Sequence, residues 1–223
     1  MNLKLPFDRD GVKIAGVVAF VAICLGCIST NLGWLGFLLT IGCLLFFRDP
    51  ERVQPKKENI IISPADGIVL KSITCTPPEE LQLTGSWKKI SIFMSLTNVH
   101  VNRAPVAGVV DKLFYVPGKF FNVTLDKASE FNERLATFMH TDKGMPIVFV
   151  QIAGLIARRI RSDIKEGDTL EAGQRVGIIR FGSRVDVYMP DYVDIAVEEG
   201  QITVAGETIL ANYKPKAEGK KHE

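Results

Sequence analysis

The sequence has almost no net charge, few cysteines, few histidines, and one long stretch with no charge at all. Its 27 basic and 25 acidic side chains leave a formal net charge of +2. That excess is too small for a protein that neutralises many phosphates, and no RNA- or DNA-binding motif is present, so nucleic acid is not an expected partner. Basic residues do cluster locally, which suits a membrane surface. Of the four cysteines, Cys24, Cys27 and Cys43 lie in apolar sequence and Cys75 stands alone. The Cys24-x-x-Cys27 spacing is that of a metal or redox pair. It lacks a nearby histidine or a second ligand pair, and small apolar filler is the better reading. No metal site is therefore expected. Of the three histidines, His140 reads as part of a surface hairpin tip and His222 lies in the polar tail. Neither is expected to act.

Residues 14–47 contain no charged side chain. At 1.5 Å per residue that run would make a helix of roughly 50 Å, too long for a single hydrocarbon core of ~30 Å. Its middle, Ser29-Thr-Asn-Leu-Gly33, is polar and contains glycine, so the stretch predicts a helical hairpin with arms near residues 13–28 and 32–47. Each arm is close to the short limit of about 17 residues for a span, so a transmembrane and a re-entrant hairpin both fit. Trp34 would sit at an interface. Lys4, Arg9 and Lys13 precede the first arm, and Arg48, Arg52, Lys56 and Lys57 follow the second. Positive charge on both flanks places both ends in the cytoplasm, and with them the rest of the chain on the cytoplasmic side of a cell membrane. A cleaved signal peptide fits poorly, because the apolar run continues past any such segment. The expected organisation is a membrane-anchoring hairpin over residues 1–50 and a charged linker over 51–59. A β-rich domain follows over 60–213, then a disordered tail over 214–223.

The domain after residue 60 is rich in short strand patterns and glycine turns, which predicts a mainly β, antiparallel sandwich or flattened barrel. Ile60 to Leu70 reads as strand, turn, strand, with Asp66-Gly67 at the corner. Met145 to Ala157 opens as a buried strand. Two apolar runs meet at Gly182-Ser183. Beyond the pair, Val185, Val187 and Met189 alternate with Arg184, Asp186 and Tyr188, the pattern of a half-buried strand. By itself the pair reads as a turn.

The stretch Arg180-Phe-Gly-Ser-Arg-Val-Asp-Val-Tyr-Met-Pro190 resembles the self-cleavage site of the short-form phosphatidylserine decarboxylases. Phe46-Phe-Arg-Asp-Pro-Glu-Arg52, Ser63-Pro-Ala-Asp-Gly67, Asn98-Val-His-Val-Asn-Arg-Ala-Pro105, Asn132-Glu-Arg134 and Gln151-Ile-Ala-Gly-Leu-Ile-Ala-Arg-Arg159 are similar to further segments of that family, in the family's order. Each motif is weak alone. Six in order, from Phe46 to Pro190, are specific.

The resemblance implies an enzyme that decarboxylates phosphatidylserine to phosphatidylethanolamine. It further implies that Ser183 attacks the Gly182 carbonyl and that the chain breaks between them into a large and a small chain. Ser183 then becomes a pyruvoyl group, a Schiff-base electron sink that replaces pyridoxal phosphate, for which no lysine motif is evident. His100 matches the first histidine of the family's histidine segment and is the expected acid or orienting group. Asp66 matches an aspartate of the acid–base machinery. Long-form members carry a second histidine, tied to self-cleavage, where this chain has Arg103, so either His100 or Asp66 could activate Ser183. Asn102 and Arg103 are candidates for binding substrate, Arg103 through its bidentate fork. The partners implied are a phospholipid and a membrane, with a homodimer compatible. Two other readings fit the same residues: a decarboxylase of a related serine ether lipid, and a non-enzymatic, membrane-anchored lipoyl-like β module.

Overall fold

The computed structural model describes residues 6–118, 132–154, 159–180 and 182–214. The tail expected over 214–223 lies outside them apart from residue 214. Two helices come first, α1 (Arg9–Gly26) and α2 (Thr30–Phe46). The strands follow as β1 (Ile60–Ile62), β2 (Gly67–Cys75), β3 (Trp87–Met94), β4 (Val101–Arg103), β5 (Gly108–Val116), β6 (Arg134–His140) and β7 (Pro146–Ala153). The last seven are β8 (Ile160–Ser162), β9 (Thr169–Leu170), β10 (Arg175–Ile179), β11 (Ser183–Pro190), β12 (Asp194–Ile195), β13 (Ile202–Thr203) and β14 (Ile209–Asn212).

The helical hairpin forms close to where the charge-free run predicts it. Asp8 caps α1, its carboxylate accepting the Asp10 amide at 2.9 Å, which satisfies one of the free N–H groups of the first turn. The arms pack through small residues, with Gly33 against the Gly26 backbone and Gly36 against Ala22; a side chain at either glycine would force the helices apart. The first turns of α1 carry Arg9, Asp10 and Lys13, and α2 has 17 residues. No helix among the described residues is long and apolar enough to cross a membrane. Most apolar side chains of the hairpin nonetheless face outward, among them Phe20, Ile23, Trp34, Leu35, Leu38 and Leu39.

The rest is mainly β and antiparallel. Eight strands form one curled sheet in the order β13–β2–β3–β11–β7–β6–β5–β9, an open half-barrel rather than a closed one. Two three-stranded sheets, β1–β14–β12 and β4–β10–β8, accompany it. Strand β11 lies at the centre of the large sheet, paired with β3 on one side and β7 on the other. Its Val185, Val187 and Met189 join the main core with Ile90, Ile92, Ile147 and Phe149. Tyr188 turns the other way, into a second cluster with Leu81, Trp87, Val148, Val150 and Ile152.

Two expectations are corrected here. Strand β11 is not half-buried: all eight residues are buried. The face carrying Arg184 and Asp186 is covered too, and the two form an ion pair, with a 2.9 Å hydrogen bond from Nη2 to Oδ2 and Nε 2.8 Å from Oδ1. Buried opposite charges at positions i and i+2 share a face and neutralise each other, so alternating charge here marks an internal pair rather than a solvated face. Nor is Gly182 a hairpin turn. Strands β10 and β11 belong to different sheets, and the chain crosses from one to the other at Gly182.

Candidate active site

Ser183 is the first residue of β11, opposite Met94 of β3 and Ala153 of β7. It shares the inner face of the sheet with Val185 and Val187, and is fully buried. The residue before it, Gly182, has φ +63°. That left-handed conformation lets the chain leave β10 and enter the central strand, and glycine adopts it without a steric cost. Apart from its chain neighbours, no atom among the described residues lies within 4 Å of where a Cβ would stand. The glycine is thus required by its backbone angle, not by crowding.

His100 approaches the junction from the residue preceding β4, fully buried. Its Nδ1 lies 3.0 Å from the Asn98 carbonyl oxygen, and its Nε2 lies 3.3 Å from the Gly182 amide nitrogen. A carbonyl can only accept and an amide N–H can only donate, so the ring carries its proton on Nδ1 and offers the Nε2 lone pair to Gly182. Burial pulls the imidazole down from 6.5 to about 4; the Asn98 carbonyl works against that shift and the Arg48 guanidinium adds to it. The histidine therefore stands neutral, an acceptor beside the Gly182–Ser183 peptide.

A buried polar row lies beside Ser183. The serine hydroxyl donates to Met94 Sδ at 3.2 Å. Asn102 Nδ2 lies 3.6 Å from the same sulfur, and Gln151 Nε2 donates to Asn102 Oδ1 at 2.8 Å. A thioether is a weak acceptor, so the hydroxyl is held lightly. Asn132 reaches the strand beside it, its Nδ2 donating to the Ala153 carbonyl at 2.9 Å.

The structure thus brings Gly182, Ser183, His100 and Asn102 together. Asp66 and Arg103 are engaged elsewhere. Asp66 takes a two-pronged bond from Arg52, at 2.8 and 3.0 Å, and accepts the Ala205 amide. The Asn98 carbonyl, rather than Asp66, sets the tautomer of His100. The Arg103 fork is nearly buried and spans Asp49, the Pro50 carbonyl and the Gly173 carbonyl. It ties the linker after α2 to the β domain, and Arg175 grips the same Asp49. His140 bonds Asp111 at the opposite end of β6 from the strand residues that flank Ser183. Among the described residues no group of three or more His, Cys, Asp or Glu side chains converges as metal ligands would.

Sequence reasoning missed four contributors: Phe46, Met94, Asn98 and Gln151. The ring of Phe46, the last residue of α2, lies 4.2 Å from that of His100, centroid to centroid. Phe46, Asn98 and Gln151 all fall inside motifs already singled out, but no local pattern shows which of a motif's residues will meet the serine.

A family model described as phosphatidylserine decarboxylase matches residues 39–211. The chain is 51% identical to a phosphatidylserine decarboxylase proenzyme of Paramagnetospirillum magneticum over 94% of its own length and 88% of the relative's. It is 49% identical to the proenzyme so named in Rickettsia akari, over 92% and 89% of the two chains. A third such proenzyme, from Ruegeria pomeroyi, is 50% identical over 94% and 96%. The motifs from Phe46 to Pro190 and the Gly182–Ser183 junction all lie inside these matches, and the chain belongs to the phosphatidylserine decarboxylase family.

Proposed function

We propose that this chain is a proenzyme that cuts itself between Gly182 and Ser183 and then decarboxylates phosphatidylserine to phosphatidylethanolamine. The observation that carries the reading is the junction itself. A left-handed glycine stands at a crossover between sheets, its N–H on a neutral histidine and its carbonyl joined to a buried serine. A lipoyl-like module would present a lysine at the tip of a hairpin, whereas Gly182–Ser183 joins two sheets.

Cleavage begins when Ser183 Oγ adds to the Gly182 carbonyl carbon. The Gly182–Ser183 C–N bond breaks as the ester C–O bond forms. His100 Nε2, unprotonated and beside this peptide, is the group able to take up the hydroxyl proton. Loss of the Ser183 α-proton then breaks the Cβ–Oγ bond and releases the Gly182 carboxylate. Water replaces the remaining nitrogen, which leaves as ammonia. A pyruvoyl group fits the residues present, because Ser183 heads a buried strand whose neighbours Met94, Ala153 and Asn102 would hold a small planar group. Once formed, it supplies a ketone that condenses with an amine and accepts the electrons left behind by CO2. Asn102 and Gln151 orient polar groups around it, and His100 returns a proton to carbon. Asp66 and Arg103 serve the reaction through the linker they anchor.

The outward apolar face of the hairpin supports contact with a bilayer, where a diacyl substrate resides, and the basic flanks support a cytoplasmic catalytic domain. The intact mass of the protein purified in detergent tests the reading. Two chains, 1–182 and a pyruvoyl-blocked 183–223, are expected, with CO2 released from carboxyl-labelled phosphatidylserine. Ser183→Ala should remain one chain and release none. A wild-type mass showing one unmodified chain after long incubation overturns the proposal. Comparing diacyl with dialkyl phosphatidylserine decides whether ether lipids are also accepted.

A further inference from the structure

We infer that Phe46, the last residue of the N-terminal helical hairpin, is a positioning residue for His100: its ring forms one wall of the catalytic site and keeps the imidazole seated and out of water. The inference rests on the role given above to His100. It concerns a residue that the sequence places in the membrane anchor, not in the catalytic domain.

Three observations carry it. The Phe46 and His100 rings are 4.2 Å apart with 35° between their planes, close enough for one face of the imidazole to be covered by carbon. Phe46 is itself buried and held from behind by Phe47, at 4.9 Å and 80°. Phe47 is fully buried against Gly11 of α1, whose Cβ position it would occupy. Both phenylalanines belong to one cluster with Val99, Val101 and Ile178, so the end of α2 is packed onto β4 and β10 rather than hanging from them. The turn beyond is pinned too. Asp8 N–H donates to the Phe47 carbonyl, and Arg48 donates to the Leu45 and Thr97 carbonyls.

The in-plane edges of His100 are taken by the Asn98 carbonyl and the Gly182 amide. Those two bonds fix the tautomer but leave the ring faces to be covered by something else, and Phe46 covers one. Aromatic stacking orients the ring and excludes the water that would stabilise an imidazolium. The Arg48 guanidinium disfavours protonation as well. The hairpin and the site are thus one unit, and an anchor-deleted chain lacks a wall of its own active centre.

The test is a proton titration of His100 in full-length Ser183→Ala protein in detergent micelles, followed by imidazole NMR with histidine labelling. The other two signals are assigned by His140→Gln and His222→Gln. The uncut chain keeps the junction intact, so the result does not depend on whether the enzyme works; the mass spectrum of the wild type tests that separately. With Phe46 present, His100 should remain in the Nδ1–H form down to about pH 4. Phe46→Ala should raise the midpoint by at least 1 unit toward 6.5. At pH 5.5 a rise of 1 unit moves the neutral fraction from nearly all to about three-quarters, and a full return to 6.5 would leave about one-tenth. Phe47→Leu, which loosens the support behind Phe46 but leaves the Phe46 ring on the imidazole face, should shift the midpoint by clearly less than Phe46→Ala does. An unchanged midpoint in folded Phe46→Ala overturns the inference, as does an equal shift in Phe47→Leu. Should Phe46→Ala fail to fold, Phe46→Leu, which covers the ring only in part, should raise the midpoint by a smaller amount; no shift there overturns it equally.

Discussion

Acidification should destabilise the uncut chain through His100, and by an amount that follows from its burial. In the folded protein the ring is neutral, donating from Nδ1 to Asn98 and accepting from Gly182 at Nε2. Protonating Nε2 replaces an acceptor with a donor that faces the Gly182 N–H, on a ring that is fully buried, where a charge is poorly solvated. The folded value is about 4 against 6.5 for an exposed histidine. Because the folded value is depressed, the unfolded chain binds more protons between these limits. The stability is fully present above pH 6.5 and is lost as pH falls through 4. A gap of about 2.5 units at 1.36 kcal/mol each comes to about 3 kcal/mol. The assay is urea unfolding of Ser183→Ala protein at pH 7.5 and 4.5, repeated with His100→Gln in the same background. Carboxylates titrate in both chains, so the difference between the two pH effects isolates the histidine. A loss on acidification larger by about 2–3 kcal/mol in the chain that keeps His100 is expected. Equal losses would refute the claim that the ring is buried neutral against Gly182.

Three further outcomes follow from the site. Gly182→Ala meets no steric obstacle among the described residues beyond its chain neighbours, but it disfavours a φ of +63° by about 1–2 kcal/mol. Self-cleavage, followed by intact mass, should slow about tenfold while the fold survives; cleavage at the wild-type rate would show that the left-handed junction is not needed. Asn102→Leu strands the buried Gln151 amide and should cost about 1–3 kcal/mol in urea unfolding, whereas adding Gln151→Leu should recover much of the loss. In the processed enzyme, His100 should titrate at least 1 unit higher than in Ser183→Ala. Cleavage leaves a carboxylate at Gly182, the residue whose amide already touches Nε2, and an adjacent opposite charge favours the imidazolium. That shift would let one histidine accept a proton in the precursor and donate one in the finished enzyme; identical titrations before and after cleavage would refute it.

Much of the architecture is local and was legible. A charge-free run broken by Ser29-Thr-Asn-Leu-Gly33 predicts two helices, and α1 and α2 lie within a few residues of the expected arms. The first arm begins earlier than its apolar run because Asp8 caps it, which brings charged residues into its first turns. Alternation in β11 shows which side chains share a face, and Gly182 marks the point where the chain needs a positive φ. The six motifs in order identified the family and pointed to Ser183 as the candidate residue. Periodicity reports a face, however, and not what the face meets. That β10 and β11 enter different sheets, that the charged side of β11 is buried around an Arg184–Asp186 pair, and that the hairpin packs onto β4 and β10 all depend on contacts between distant parts of the chain. His100 meets Gly182 across 82 positions of sequence. Phe46 caps the histidine from another element, while Arg52 and Asp49 engage Asp66 and Arg103 from the linker. The residue types for the chemistry are written along the chain. Which of them stand beside the serine, and in which protonation state, is decided by the packing that excludes water from the junction.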